Sequence, residues 1–252
     1  MAVQKFKLEL KSAKMITPGI RHMAFTRTDN QPLDYKPGHF ISFLFNVDSK
    51  TKRRSFSIAT IPGQTDEIEI AISYVKGGLA SEVLFNLEPG QTLDAMGPAG
   101  RLVLQEEPAK RILLTGTGTG IAPYRCMLPQ IIEKLATNPT LMITVILGVQ
   151  YRQDALYAED FRNFAKQHER LEFRVCYSRE DLKQEQPPTT PLITDEYSGY
   201  VQHQFDSLNM NPDNDIVYLC GNPNMIDDSF NKLTAMGFVM KQVRREKYIS
   251  PN

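Results

Sequence analysis

The chain is predicted to form two domains, an antiparallel β domain over residues 1–105 followed by an α/β domain with a parallel sheet over residues 106–252. Three observations predict this. Up to about residue 105, short alternating runs are separated by glycine and proline turn signals, the pattern of a barrel or sandwich. From Pro108 onward, apolar runs of strand length alternate with helix-length segments, which implies parallel strands flanked by helices. The pattern changes near Gln105–Pro108, and 252 residues are enough for two hydrophobic cores.

In the first domain the runs FKLELKSAKMI, RHMAFTR, KPGHFISFLFN, RRSFSIAT, EIEIAISYV and QTLDAMGP supply six strands. Thr17-Pro18-Gly19, Tyr35-Lys36-Pro37-Gly38, Pro62-Gly63, Gly77-Gly78 and Glu88-Pro89-Gly90 punctuate them. One short helix is expected at Ser81–Leu87, where Val83, Leu84 and Leu87 fall at helical spacing and Glu82 lies in the first turn.

In the second domain strands are expected at Arg111–Thr115, Leu141–Gly148, Leu171–Tyr177 and Ile216–Cys220. Helices are expected at Pro123–Ala136, Tyr157–Gln167 and Met225–Met236. The stretch Glu180–Pro191, rich in Gln, Pro and Thr, reads as a surface loop.

Composition excludes several function classes. Lys+Arg and Asp+Glu both number 29, so no global field argues for nucleic acid or an anionic membrane. The longest apolar run, LMITVILGV, is too short to span a bilayer, and MAVQKFKLEL alternates like a strand without a signal-peptide core, so a cytoplasmic protein is expected. Cys126, Cys176 and Cys220 are scattered, as are His22, His39, His168 and His203. Neither set has the spacing of a zinc site, a disulfide framework or an iron–sulfur cluster, so no metal is expected.

The segment RILLTGTGTGIAPYRCML reads as strand, glycine loop and helix. Amides at such a helix start favour an anion, and a dinucleotide pyrophosphate fits. The spacing is G-x-G-x-G and not G-x-G-x-x-G, so the loop taken alone is equally a structural turn. After the next apolar run, Gly148-Val149-Gln150-Tyr151-Arg152 holds no carboxylate for ribose hydroxyls, which points to a cofactor with a 2′-phosphate. Lys76-Gly77-Gly78-Leu79-Ala80-Ser81 is a second glycine turn opening a helix. Two anion cradles in two domains suggest two nucleotides. Arg53-Arg54-Ser55-Phe56-Ser57 sets a guanidinium, a ring and a hydroxyl within a few positions, enough to grip a phosphate and cover a planar heterocycle. The same residues equally suit a barrel strand with a core Phe and solvated arginines. Ser178 and Arg179 after the Leu171–Tyr177 run can grip a phosphate or form a plain surface turn.

Taken together, five motifs in order resemble those of the ferredoxin–NADP⁺ reductase family, bacterial type. Arg54-x-Phe56-Ser57 is similar to the R-x-Y-S flavin motif, with Phe for Tyr, and Lys76-x-Gly78-x-x-Ser81-x-x-Leu84 to the second flavin motif. Gly97-Pro98-Ala99-Gly100 resembles the turn closing the barrel, Gly116 to Pro123 the pyridine-nucleotide loop, and Cys220-Gly221-Asn222-Pro223-x-Met225-Ile226 the late C-G-x-P motif. The resemblance implies an FAD-binding antiparallel β-barrel followed by an NADP-binding α/β domain whose C-terminal tail returns to the flavin.

It further implies that Arg54, Ser73, Lys76, Gly78, Leu79, Ala80 and Ser81 hold FAD, with Phe56 covering one face of the ring system and Ser57 near N5. Thr117, Gly118, Gly120 and Asn222 would meet the nicotinamide dinucleotide, Ser178, Arg179 and Arg152 its 2′-phosphate, and Tyr200 its adenine. Cys220 would align the nicotinamide, and Glu246-x-Tyr248 reproduces the spacing of a C-terminal aromatic that stacks on the flavin. Read without the resemblance, that tail is a frayed charged terminus. The implied activity is hydride exchange with NADPH and single-electron exchange with ferredoxin or flavodoxin, by a monomer that binds neither nucleic acid nor membrane. Lys52, Arg53 and Arg245 are candidates for a basic patch that meets the acidic partner. Two other readings are a reductase serving free flavin or an oxygenase, and a nucleotide-binding module without turnover.

Overall fold

The computed structural model describes residues 3–180 and 195–248. The expected loop, beyond Glu180, and the four residues after Tyr248 lie outside the described residues. Among the described residues the chain divides into two units, one of residues 3–105 and 122–130, the other of residues 106–121, 131–180 and 195–248.

The first unit is a six-stranded antiparallel sheet. Its strands are β1 (Gln4–Thr17), β2 (Ile20–Arg27), β3 (Phe40–Val47), β4 (Lys50–Ser57), β5 (Ile68–Ser73) and β6 (Thr92–Ala99), in the order β4-β3-β6-β1-β2-β5. Alternation decides which face turns inward: Phe6, Leu8 and Leu10 of β1 are buried while Lys5, Lys7 and Lys11 are exposed. Just past β4, the Ala59 N–H donates to the Glu69 carbonyl of β5 at 2.8 Å. That bond joins the two ends of the strand order and curls the sheet into a barrel, which removes its edges.

Helix α1 (Leu79–Phe85) begins two residues before the expected Ser81. Gly78 is its N-cap, and Arg21 of β2 ends it by donating to the carbonyls of Leu84 and Phe85, both at 2.7 Å, and of Leu87 at 3.0 Å. A cation on the last carbonyls satisfies groups the helix leaves open. Helix α2 (Ala122–Cys126) also packs in this unit, with Cys126 in the barrel's apolar cluster.

The expected helix Pro123–Ala136 is two helices, α2 and α3 (Leu128–Thr137), separated at Met127. Pro129 has no N–H to offer the Arg125 carbonyl, so the helical ladder stops there. The Met127 N–H is shared between the Pro123 and Tyr124 carbonyls at 3.2 and 3.1 Å.

The second unit is a parallel sheet of β7 (Arg111–Thr117), β8 (Met142–Val149), β9 (Leu171–Tyr177), β10 (Glu196–Ser198), β11 (Asp215–Gly221) and β12 (Val243–Lys247), in the order β10-β9-β8-β7-β11-β12. β11 is buried along its whole length and β8 everywhere but Met142, which is why these segments read as unbroken apolar runs. Helices α4 (Ala158–Gln167), α5 (Gln204–Ser207) and α6 (Pro223–Ala235) complete the unit. The charged stretch read as a frayed terminus is β12, an edge strand parallel to β11, where alternating exposed residues are tolerated. No described helix is long and apolar enough to cross a membrane.

Candidate cofactor-binding sites

In the first unit the candidate residues lie on β4 and on the turn between β5 and α1. Burial rises along β4 from exposed Lys50–Arg53 to buried Ser57. Arg54 and Phe56 share one face and Ser57 takes the other, because side chains alternate along a strand. The Phe56 ring is half-buried, 5.9 Å from Phe43, and packs on the barrel core. The Arg54 guanidinium donates to the neighbouring Arg53 carbonyl at 2.9 Å.

The β5–α1 turn is held by its own side chains. The Gly78 N–H donates to the Val75 carbonyl and the Val75 N–H donates to the Ser81 hydroxyl oxygen, both at 2.9 Å. The Ser81 hydroxyl reaches back to the Ser73 carbonyl at 3.4 Å. A Cβ on Gly78 would lie 3.0 Å from the Val75 carbonyl oxygen, whereas Gly77, at φ +71, has open space beside it. Lys76 is exposed and has no side-chain partner among the described residues. Ala80 is buried and Leu79 half-buried against the core, so these two offer a ligand their main chain only.

In the second unit, β7 runs into a short 3₁₀ turn, Gly118–Ile121, before α2 begins. Its three glycines differ in role. A Cβ on Gly116 would stand 2.8 Å from the Gly120 carbonyl oxygen, and one on Gly120 would collide with the Cys220 carbonyl oxygen. Both are therefore fixed by backbone packing. Gly118, at φ +52, has open space beside it. The Thr117 hydroxyl oxygen accepts the Asn222 N–H at 3.0 Å, and the Asn222 side chain caps α6 by accepting from Asn224 N at 2.8 Å. That cap ties the glycine loop to the start of α6, a helix terminus whose dipole favours an anion.

Cys220 is fully buried near the end of β11, paired in register with Gly116 on one side and Glu246 on the other. Burial first, and then the Glu246 carboxylate, push its thiol well above the ordinary range, partly opposed by a hydrogen bond with the Tyr248 side chain. The Tyr248 N–H donates to the Gly221 carbonyl at 2.8 Å, so the residue after β12 is anchored over this point.

At the carboxyl ends of β8 and β9 the main chain stays paired past the strands. Ser178 N–H donates to the Val149 carbonyl at 3.0 Å and Arg179 N–H to the Gln150 carbonyl at 3.1 Å. The exposed Arg179 side chain has no partner among the described residues. Arg152 instead pairs with buried Glu196 at 2.8 Å, and Glu196 also accepts from the Tyr177 hydroxyl at 3.0 Å and from Arg162 at 3.3 Å. Tyr200 is well exposed, its ring edge-on to His203 at 5.9 Å.

Two family models match the chain in succession: the oxidoreductase FAD-binding domain over residues 7–104 and the oxidoreductase NAD-binding domain over residues 114–230. The chain belongs to the ferredoxin–NADP⁺ reductase family. Among curated relatives of this family member, ferredoxin–NADP reductase B of Sorangium cellulosum is 27% identical over 70% of this chain and 71% of its own. The toluate 1,2-dioxygenase electron transfer component of Pseudomonas putida is 27% identical over 86% of this chain, which spans 59% of that relative's length. In structure, a ferredoxin NADP⁺ reductase from Neisseria gonorrhoeae with bound FAD and NADP superposes with a TM-score of 0.80 at 20% identity, covering 97% of this chain and 99% of that one.

Sequence reasoning missed three contributors to this family member's candidate sites. Arg21 ends α1, and Arg125 donates to the Ala59 carbonyl and the Glu69 carboxylate, both at 2.6 Å, linking α2 to the barrel. Glu180 accepts the Arg152 N–H at 2.5 Å. None has a local motif. The one sequence signal for Glu180 is that parallel pairing of the β8 and β9 runs would bring their ends side by side.

Proposed function

We propose that this family member is an FAD-dependent oxidoreductase that takes a hydride from NADPH and passes single electrons to ferredoxin or flavodoxin. One observation carries the reading: each unit presents, in the turn between a strand and a helix, a glycine with open space beside it, Gly77 in the first and Gly118 in the second. Close approach to backbone amides at two such turns is what two dinucleotide pyrophosphates need. The similarity to a ferredoxin–NADP reductase over most of the chain supports the choice of partner and coenzyme.

Bound FAD would supply the conversion between two-electron and one-electron transfer. The chain's own residues bind and orient. In the first unit Arg54 and Lys76 offer positive charge to a pyrophosphate, Ser73, Gly78, Leu79, Ala80 and Ser81 form the turn against which it lies, Phe56 offers an apolar face to the ring system, and Ser57 a hydroxyl to its edge. In the second unit Thr117, Gly118, Gly120 and Asn222 form the loop for the second pyrophosphate. Ser178 and Arg179 take the 2′-phosphate, and Tyr200 offers a ring to the adenine. Arg152, matched by Glu196, holds the strand ends in place and is not a phosphate ligand in this reading. Cys220, Glu246 and Tyr248 form the nicotinamide subsite, where Tyr248, hydrogen-bonded toward the thiol, has to move for a ring to enter.

Anaerobic titration of the FAD-loaded protein with NADPH tests the reading directly. Bleaching of the flavin absorbance is expected, and a protein that stays colourless after reconstitution with FAD defeats it. The partner is tested by cytochrome c reduction with and without added ferredoxin or flavodoxin. A second reading, a reductase that serves an oxygenase, is favoured by the similarity to the toluate dioxygenase component, and absence of stimulation by either carrier would select it.

A further inference from the structure

We infer that Glu180 makes the coenzyme site a mixed one: its carboxylate accepts the hydroxyls of the adenosine ribose of NADH, while neighbouring Arg179 takes the 2′-phosphate of NADPH, so that both coenzymes are used. This rests on the reading that the second unit holds a reduced nicotinamide dinucleotide.

The stretch that ends β8 and follows it, Gly148 to Arg152, has no acidic residue, and a ribose diol would find no carboxylate acceptor in it. The fold brings carboxylates there all the same. Asp154 accepts the Tyr151 N–H at 3.2 Å, and Glu180, arriving from the end of β9, accepts the Arg152 N–H through Oε2 at 2.5 Å. The two main-chain bonds from Ser178 and Arg179 to Val149 and Gln150 hold Glu180 in this position beside the end of β8. Its Oε1 accepts no hydrogen bond among the described residues, and the carboxylate lies near enough to the Arg152 guanidinium to interact with its charge. An ionised carboxylate only accepts hydrogen bonds, and a diol can supply two donors.

Charge matching supports the same conclusion. Arg152 is paired with Glu196 and Arg162 with Asp195, both at 2.8 Å. Arg179 is exposed, has no side-chain partner among the described residues and is followed by Glu180, so positive charge is not concentrated as it is where a phosphate is the sole ligand. A carboxylate beside a phosphate weakens its binding, and the same carboxylate strengthens binding of a hydroxyl. Discrimination between the coenzymes should therefore be small.

The test uses the FAD-loaded full chain, with KM and kcat for NADPH and NADH read through ferricyanide reduction and Kd for NADP⁺ and NAD⁺ read by titration of the oxidised protein. For the natural sequence, kcat/KM for the two coenzymes is expected to agree within about tenfold. Glu180→Gln keeps an oxygen for the Arg152 N–H and removes the charge. It should raise KM for NADH and Kd for NAD⁺ by about tenfold, the loss of one charge-assisted hydrogen bond, and lower both constants severalfold for the phosphorylated pair. Parallel shifts for both coenzymes would make Glu180 a purely structural anchor and overturn the inference, as would rejection of NADH by the natural sequence. If NADPH reduces the flavin but Glu180→Gln leaves the NADH-to-NADPH ratio where it was, this inference alone falls. If neither coenzyme nor its oxidised form binds, the reading of the second unit falls with it.

Discussion

Gly120 on the loop after β7 and Cys220 on β11 are in backbone contact so close that a Cβ on the glycine would overlap the cysteine's carbonyl oxygen. Backbone atoms on both sides cannot give way as a flexible side chain would. Gly120→Ala should destabilise the fold by about 3 kcal/mol, the upper range for forced overpacking. Gly118→Ala, at a left-handed φ of +52 with space beside it, should cost only about 1 kcal/mol while weakening coenzyme binding. Thermal unfolding and NADP⁺ titration of both variants separate packing from binding. Equal losses of stability would contradict the division of roles.

Arg179→Ala should raise KM for NADPH by about tenfold or more, the worth of a charge-assisted phosphate contact, and raise KM for NADH far less. Steady-state kinetics with both coenzymes decide this. Equal changes would remove Arg179 from the phosphate site.

Arg125 and Glu69 form an ion pair that is largely buried, at 2.6 Å, and His22 faces the same carboxylate at 3.5 Å. Burial pushes the Glu69 carboxyl up, but hydrogen bonds from His22 and Arg125 outweigh it and leave it below its ordinary value. A depressed carboxyl contributes stability that is present above its unfolded value and lost as pH falls through the folded one. Arg125→Leu strands a buried carboxylate and should cost about 3 kcal/mol at neutral pH. Because the stranded carboxylate is relieved by protonation, the deficit should shrink toward pH 4. A deficit independent of pH would show that Arg125 acts by packing alone.

The three buried thiols predict an alkaline weakness, Cys220 being raised as well. Burial pushes both Cys126 and Cys176 from an ordinary value of 9.0 up to about 12. For each, the stabilising effect is complete below the unfolded value and is lost as pH rises between the two. Stability should decline across that window by about 1.4 kcal/mol per pH unit per thiol. Cys176→Ala adds a constant cavity cost but should remove one thiol's share of the slope. Denaturant unfolding at several alkaline pH values measures it, and an unchanged slope would refute the assignment.

Tyr248 follows β12 with its N–H on the Gly221 carbonyl, and its side chain is placed to hydrogen-bond the Cys220 thiol. In the native protein Cys220 should resist iodoacetamide, and Tyr248→Ala should make it react while shifting the NADPH-to-NADH ratio of kcat/KM toward one. Mass spectrometry of the alkylated chain reads the first effect. Continued protection of Cys220 would mean that other groups cover it.

The first six strands, the three early parallel strands and β11 were legible as written, because each buries a face or a whole run that leaves a period of two or an unbroken apolar segment in the chain. The glycine turns and the Cys220-Gly221-Asn222-Pro223 stretch were legible for a related reason, since each demand there falls on residues adjacent in sequence. What tertiary structure alone decided were contacts between residues far apart in the chain. Val243–Lys247 becomes a strand only because β11 offers an edge, and α1 ends where Arg21 reaches it across the barrel. The stretch after β8 looks free of acid until parallel pairing sets Glu180 on the Arg152 amide. Local residues can specify the conformation of their own backbone, but the charge at a strand end is set by whichever neighbouring strand the sheet puts beside it.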